Sequence, residues 1–263
     1  MERMKKMFKL ESPGDKPGLL GKTTNIVLVG LFIAGIFLAA LLSLGYKFDW
    51  TVIWTYRFKI LQGYGTTFLL AGISIFISIF IGIISASGLQ SRILFFRYLA
   101  RTYVEVIRGT PFLVQIIFFY FIIAPAVGLN NKFVIGVLIL SIFTGAYVTE
   151  IIRGGIQSIP ETQWITSRSL GFSPLQTYRY IVFPQVFRRI LPALAGQMSS
   201  LVKDSSLLSV IAVAEFTKSV REVESITYRA FEVYTFLMLG YLLITIPISL
   251  LSKWLERKYY YES

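Results

Sequence analysis

Six long apolar stretches constrain this sequence more than any other feature. Hydrophobic residues fill 55% of the 263 positions and charged residues only 15%, unlike a soluble globular domain. A hydrocarbon core of roughly 30 Å is crossed by about 20 helical residues, and lipid tolerates no unpaired backbone. The sequence therefore predicts an all-α integral membrane protein with about six transmembrane helices. The predicted spans are 25–45, 66–88, 104–128, 133–152, 190–213 and 233–251.

Basic residues are unequally divided between the segments that connect these spans. If the N-terminus is cytoplasmic, most of the 26 Lys and Arg fall on the cytoplasmic side, and the glutamate-rich segment 215–232 falls outside. The positive-inside rule then predicts that both termini are cytoplasmic. The net charge of +12 is thus explained by orientation in a membrane, and nucleic acid is not expected as a partner.

The residue inventory excludes several kinds of chemistry. The chain has no cysteine and no histidine, so no disulfide framework, zinc site, cysteine nucleophile or imidazole base is available. Gly21-Lys22-Thr23 is similar to the end of a P-loop, but that motif requires a glycine where Lys16 stands, and no strand precedes it. The sequence therefore predicts no catalytic residue, no metal site and no ATP hydrolysis by this chain.

The segment 153–189 is too long and too polar to be a simple turn. Ser158 and Glu161 fit a capping box, and Gly171 is placed to end the following helix in a left-handed conformation. Ser173 and Gln176 fit a second capping box, which opens a helix extending to Pro184. The pattern predicts a helix, a tight turn and a second helix. The first helix either docks into a partner's groove or lies flat on the membrane surface, and both interpretations are open.

Three charged side chains lie in or beside predicted spans. Lys203 and Asp204 interrupt the fifth span, where ionisable groups are costly and usually face a bundle interior. Together they could meet the carboxylate and the ammonium of an amino acid, or they form a structural pair. For Glu150, an ion pair with Arg153 one turn later is the simpler interpretation, and a place on the substrate path is the alternative.

Several motifs resemble one known family. The strongest is Ala146-Tyr147-Val148-Thr149-Glu150-Ile151-Ile152-Arg153-Gly154-Gly155-Ile156, followed by Ser158-Ile159-Pro160, Gln163-Trp164 and Ser169-Leu170-Gly171. Others are Ile107-Arg108-Gly109-Thr110-Pro111 and Lys203-Asp204-Ser205-Ser206-Leu207. From about Gln62 to the C-terminus the chain resembles ABC importer permeases of the polar amino-acid family. The resemblance implies a five-helix core of the type I importer kind, plus one added N-terminal helix.

The resemblance also implies a function and partners. The chain would be the non-catalytic permease subunit of an importer that translocates a polar amino acid across a bacterial cytoplasmic membrane. An extracytoplasmic binding protein would deliver the substrate, and two cytosolic ABC ATPases would bind ATP and Mg²⁺. A second permease, identical or related, would complete the pathway within the membrane lipid. The alternative is a secondary transporter or channel that works without an ATPase.

Within this family, the segment 153–189 would be the loop that couples the permease to the ATPase. The family pattern of Glu-Ala-Ala, three residues and Gly falls here on Ile165, Thr166, Ser167 and then Gly171, so the acidic residue is missing. Glu161, one turn earlier, is the candidate substitute. The candidate coupling residues are Glu161, Trp164, Ile165, Thr166, Ser167, Arg168, Gly171, Pro174 and Pro184.

The predicted organisation has four parts. Residues 1–24 form a basic cytoplasmic tail, and residues 25–61 form the added transmembrane helix and an outer loop. Residues 62–252 form the permease domain with its coupling loop, and residues 253–263 form a cytoplasmic C-terminal tail.

Overall fold

A computed structural model describes residues 18–43 and 45–259, and every regular element in those ranges is a helix. The helices are α1 (Leu19–Ser43), α2 (Thr51–Thr55), α3 (Arg57–Leu89), α4 (Leu94–Gly109), α5 (Phe112–Phe118), α6 (Ala124–Ala126), α7 (Lys132–Gln157), α8 (Glu161–Ser169), α9 (Pro174–Thr177), α10 (Phe183–Asp204), α11 (Phe216–Thr227) and α12 (Ala230–Tyr259). Two π-helical segments, Phe119–Ile123 and Tyr178–Val182, and one 3-10 helix, Ser205–Ile211, continue them. The predicted all-α class is therefore confirmed.

The chain divides into two units, one ending at Asp49 and the other beginning at Trp50. In the first unit α1 exposes apolar side chains around its whole circumference, as expected of a helix surrounded by lipid. Most of the basic residues predicted to anchor this helix lie outside the described residues: Arg3, Lys5, Lys6, Lys9 and Lys16. The last four residues of the C-terminal tail lie outside them as well.

Long apolar helices dominate the described residues. Four are long and apolar enough to cross a membrane, within α1, α3, α7 and α12, and a fifth crossing is possible if two helices joined by a sharp bend count as one. The 22-residue helix α10 packs along α7 and α12 but carries charges near both ends. These elements agree with an integral membrane protein of about six helices.

The third predicted span, 104–128, is wrong as a single straight helix. Residues 94–109 and 112–126 are helical on either side of a 109° bend. Thr110 is extended, because the residue before a proline avoids the α region, and Pro111 itself lacks an N–H. The side chain of Gln115 donates to the carbonyls of Ile107 at 2.7 Å and Thr110 at 3.1 Å. These backbone carbonyls at the end of α4 therefore have a hydrogen-bond partner although the helix is interrupted.

The fifth predicted span also begins in the wrong place. Helical structure runs without interruption from Pro174 to Ile211, so neither Pro184 nor position 190 marks a boundary. The π-helical segment Tyr178–Val182 comes directly before Phe183-Pro184, and the other one comes directly before Ala124-Pro125. A proline removes one hydrogen-bond donor, and the wider π turn accommodates the change without ending the helix.

Small residues bring α3 and α7 close together. Ser78 donates to the carbonyl of Ser141 at 3.2 Å, and Ser74 donates to that of Val137 at 3.4 Å. Nearby, Gly82 lies against Val148 so closely that no β-carbon fits between them. Such pairing of glycine and serine is how membrane helices gain packing and interhelical hydrogen bonds where lipid supplies no hydrophobic drive. The contact between α3 and α7 is therefore the structural centre of the second unit.

Candidate functional site

The candidate coupling segment folds as a compact helical hairpin, which comprises residues 158–182. Its turn is built on Gly171, whose φ of +80° is left-handed, as its place in the sequence predicts. The N–H of Gly171 donates to the carbonyl of Arg168 and that of Phe172 to Ser167, both at 3.0 Å. This pair of bonds is the Schellman arrangement that ends α8.

Only the second of the two predicted capping boxes forms. Ser173 accepts from the N–H of Gln176 at 3.3 Å, and the side chain of Gln176 accepts from the N–H of Ser173 at 2.8 Å. At the first, the N-cap position is Pro160, which has no side-chain acceptor. Ser158 instead donates to the carbonyl of Gly155 and accepts from Arg189, because α7 extends almost to the start of α8.

The inner face of the hairpin is fixed to the bundle. Ile159, Val182 and Val186 form a buried apolar cluster, against which Trp164 packs. Buried Ser167 accepts from Thr177 at 3.2 Å across the hairpin. The hydroxyl of Tyr178 donates to Gln90 at the end of α3 at 2.9 Å, and its ring meets that of Trp164 edge-on at 5.2 Å. Trp164 and Ser167 thus position the hairpin.

The outer face of the hairpin is exposed and mixed in character. Apolar side chains project around the turn: Ile165 is 55% exposed, Leu170 69% and Leu175 78%. Among them stand the polar candidates Glu161, Thr166 and Arg168, all exposed. Pro174 opens α9 and Pro184 lies inside the following helical run, so the two prolines belong to the scaffold of the second helix.

Lys203 and Asp204 lie where α10 tightens into a 3-10 helix. Lys203 is exposed and Asp204 is partly buried, and neither makes an ion pair with a described residue. Adjacent helical side chains point in different directions, so the two residues form no close ion pair with each other, and both their substrate role and their role as a structural pair stay predictions. A local change from α to 3-10 geometry is frequent at functional hinges.

Glu150 belongs to a different part of the bundle. Its carboxylate accepts a hydrogen bond from Arg153 at 2.7 Å, as the spacing predicts. It also accepts from Arg108 of α4 at 3.0 Å, a contact that the sequence does not reveal because the two residues are far apart in it. Because Gly155 packs against Ile190 while Gly136 packs against Leu208, α7 and α10 run antiparallel. Glu150 therefore lies near the hairpin end and Lys203 towards the other end, so they do not form one site.

A buried glutamate was missed from the sequence, where Glu215 is one of several acidic residues in a polar segment. Its side chain is the N-cap of α11 and accepts from the N–H groups of Lys218 at 2.7 Å and Thr217 at 2.8 Å. The hydroxyl of Tyr241 donates to it at 3.1 Å. Burial raises the pKa of Glu215 from its ordinary value of 4.5 to about 7, and these hydrogen bonds partly offset the rise.

This raised pKa makes stability depend on pH. The folded chain holds the Glu215 proton more tightly than the unfolded chain, so the stabilisation is complete below about pH 4.5 and is lost as pH rises through about 7. We expect the melting temperature of the detergent-purified protein to fall by a few degrees between roughly pH 5 and pH 8. The chain has no histidine to obscure this window.

Two variants check the assignment. Glu215→Gln should have a nearly flat profile between the same pH values, because the amide does not titrate. Glu256→Gln, at an exposed position of α12, should keep the wild-type slope. A slope that persists in Glu215→Gln would assign the pH dependence to another group.

Comparison with known proteins gives concordant matches. A family model described as binding-protein-dependent transport system inner membrane component matches residues 78–260. The glutamine transport system permease protein GlnP of Escherichia coli K12 is 33% identical over 214 residues, covering 81% of this chain and 98% of GlnP. The nopaline transport system permease protein NocM of Agrobacterium fabrum is 35% identical over 209 residues, covering 74% of this chain and 87% of NocM.

Solved structures extend the comparison to the fold. A chain from the crystal structure of an amino acid ABC transporter with histidines superposes with a TM-score of 0.75 at 34% identity, covering 81% of this chain and all of that one. A chain of the inward-facing MetNI methionine ABC transporter has a TM-score of 0.66 at 17% identity, covering 77% and 96%. The second likeness concerns the fold alone.

Proposed function

We propose a function from one premise: the chain belongs to the family of binding-protein-dependent transport system inner membrane components. It is the permease subunit of an ABC importer that translocates a polar amino acid across the bacterial cytoplasmic membrane. A separate extracytoplasmic binding protein delivers the substrate, and two cytosolic ATPase subunits supply the energy and bind ATP and Mg²⁺. This chain is not an enzyme and holds no cofactor of its own.

The structure of the hairpin is the main observation that supports this proposal. Its inner residues tie it to α3 and α10, while its turn presents an exposed patch of apolar and charged side chains. A short rigid helix with a few apolar anchors is suited to a groove in another protein. Ile165, Leu170 and Leu175 are the proposed anchors, and Glu161 and Arg168 the proposed polar contacts. Ile165 replaces a family carboxylate, so its contact with the ATPase is apolar.

The same proposal fixes the orientation. The hairpin, both termini and most basic segments face the cytoplasm, and α11 faces the binding protein. A second permease, identical or related, pairs with this chain in the membrane. The parts are the cytoplasmic tail 1–24, the added helix and outer loop 25–61, the permease domain 62–252 with coupling loop 153–189, and the tail 253–263.

Lys203 and Asp204 are the proposed contacts of the amino acid's carboxylate and ammonium, and Glu150 is the proposed structural partner of two arginines at the cytoplasmic mouth. Lys203 and Asp204 make no ion pair within the described residues, whereas Glu150 pairs with both Arg108 and Arg153, and this difference supports the division.

Replacing Lys203 by methionine is expected to reduce uptake on the order of tenfold or more, because one charge-assisted hydrogen bond to the substrate is lost. ATPase association should be unchanged. Uptake of radiolabelled amino acid by proteoliposomes, with co-purified ATPase quantified in parallel, measures both. Lys253→Met, at an exposed position of α12, is the matched control. Full uptake with unchanged specificity in Lys203→Met would remove Lys203 from the substrate path.

The alternative function is a secondary transporter, and the same two charged residues at the end of α10 are the observation that favours it. Proteoliposomes containing the native complex separate the two functions. The proposed importer accumulates substrate only with ATP and the binding protein. Accumulation driven by an ion gradient without ATP would instead support the secondary transporter.

A further inference from the structure

Helix α4 has three faces of different chemistry. One face packs into the bundle through Ala100, Val104 and Ile107. On either side of it, spaced by whole helical turns, run two exposed stripes that lie on nearly opposite sides of the helix. The basic stripe is Arg97, Arg101 and Arg108, and the apolar stripe is Phe95, Leu99 and Val106.

The bend after α4 determines how this helix lies in a membrane. Residues 94–109 and 112–126 meet at 109°, so if the second segment crosses the bilayer, α4 lies close to the membrane plane. An amphipathic helix with arginines along its polar edge is stable in that position, with its apolar stripe among the acyl chains. The basic stripe would then lie on the water side of the helix, at the level of the lipid headgroups.

The basic stripe borders an open cavity of about 450 Å³ between α3, α4 and α7. Four arginines and two glutamates line it: Arg97, Arg101, Arg108, Arg153, Glu105 and Glu150. Arg101 pairs with Glu105 at 2.8 Å, and Arg108 and Arg153 share Glu150. Among the residues that the structure describes, Arg97 donates only to the carbonyl of Ser91, at 2.7 and 3.0 Å. The cavity therefore keeps a net positive charge.

We propose that this cavity binds the phosphate of an anionic phospholipid headgroup, with α4 lying in the membrane plane so that its basic stripe is at headgroup level. Guanidinium groups match phosphate oxygens in geometry and charge, and basic pockets between membrane helices on the cytoplasmic side suit such headgroups. The apolar stripe on the far side of α4 favours a lipid over a soluble anion, because it holds the helix in the membrane interface, where the cavity opens among the headgroups. The cavity adjoins the hairpin, since Leu89 lines it and neighbouring Gln90 binds Tyr178.

The test is native mass spectrometry of the purified full chain in detergent, titrated with phosphatidylglycerol, phosphatidylcholine or inorganic phosphate. We expect phosphatidylglycerol to bind more tightly than phosphatidylcholine, and inorganic phosphate to bind weakly. Arg97→Gln and, independently, Arg101→Gln should each weaken phosphatidylglycerol binding about fivefold, the usual effect of one basic side chain near an anionic lipid. Arg92→Gln removes the same charge at an exposed position outside the cavity and should have no effect.

Four results would overturn the proposal. Equal binding of the two lipids would remove the charge recognition, and equal weakening by Arg92→Gln would reduce it to general attraction. Tight binding of inorganic phosphate would assign the cavity to a soluble anion. Unchanged lipid binding in both Arg97→Gln and Arg101→Gln would show that these arginines do not hold the headgroup. Because the titration uses the chain without ATPase or substrate, its outcome is independent of the proposed transport function.

Discussion

Gly171→Leu is expected to uncouple ATP hydrolysis from uptake. A residue with a β-carbon costs roughly 1–2 kcal/mol in the left-handed conformation, which shifts the equilibrium constant between the capped and the uncapped hairpin by a factor of about 5–30. Space is not the obstacle, because a β-carbon at Gly171 would meet no heavy atom within 4 Å. The backbone conformation alone, with φ at +80°, makes the difference. Uptake should fall, by at most that factor, while the ATPase remains active.

The measurement compares ATP hydrolysed with substrate accumulated in proteoliposomes. Gly171→Asn is the matched variant, because asparagine tolerates the left-handed region far better than leucine, and it should keep most of the uptake. Gly154→Leu controls for adding a leucine nearby, since position 154 has no neighbour within 4 Å and no left-handed backbone. Normal coupling in Gly171→Leu would mean that the turn does not hold the ATPase contact.

Gly82→Ala is expected to destabilise the membrane bundle itself. A β-carbon there would lie 2.8 Å from the β-carbon of Val148 and 3.3 Å from the backbone nitrogen of Thr149. Neither atom can move without shifting α7, and overpacking of this kind costs about 1–3 kcal/mol. The melting temperature of the detergent-purified protein should fall by several degrees, and less folded protein should be recovered from the membrane.

Gly72→Ala, on the same helix, is expected to change the stability of the protein in the opposite direction. No heavy atom lies within 4 Å of a β-carbon at Gly72, and alanine favours helix over glycine by roughly 0.5–1 kcal/mol. Its melting temperature should match or slightly exceed that of the wild type. Equal behaviour of the two variants would show that the close approach of α3 and α7 does not limit stability.

The features that could be predicted from sequence are those set by nearby residues. Apolar length alone predicts membrane helices, because the bilayer fixes how many residues a crossing needs. The turn at Gly171 and the capping box at Ser173 depend on residues three or four positions away, and both form.

The failures have equally specific causes. A straight span over 104–128 passes through Thr110-Pro111, although a residue before proline avoids the α region and that signal locates the bend. Pro184 marks a helix end in the sequence pattern, because sequence does not reveal that a π turn accommodates the proline. The burial of Glu215 depends on Tyr241 and on Thr67, whose hydroxyl accepts from the N–H of Phe216. Those partners are distant in sequence, so no local pattern marks them.

The central claim, that this chain works with a separate ATPase, is tested most directly by affinity purification of the tagged chain from its native membrane in mild detergent. Mass spectrometry of the co-purified proteins is predicted to identify a soluble ABC ATPase, and any second permease recovered will give the symmetry of the membrane pair. A stable preparation that contains no ATPase, and that transports in liposomes on an ion gradient alone, would contradict the account.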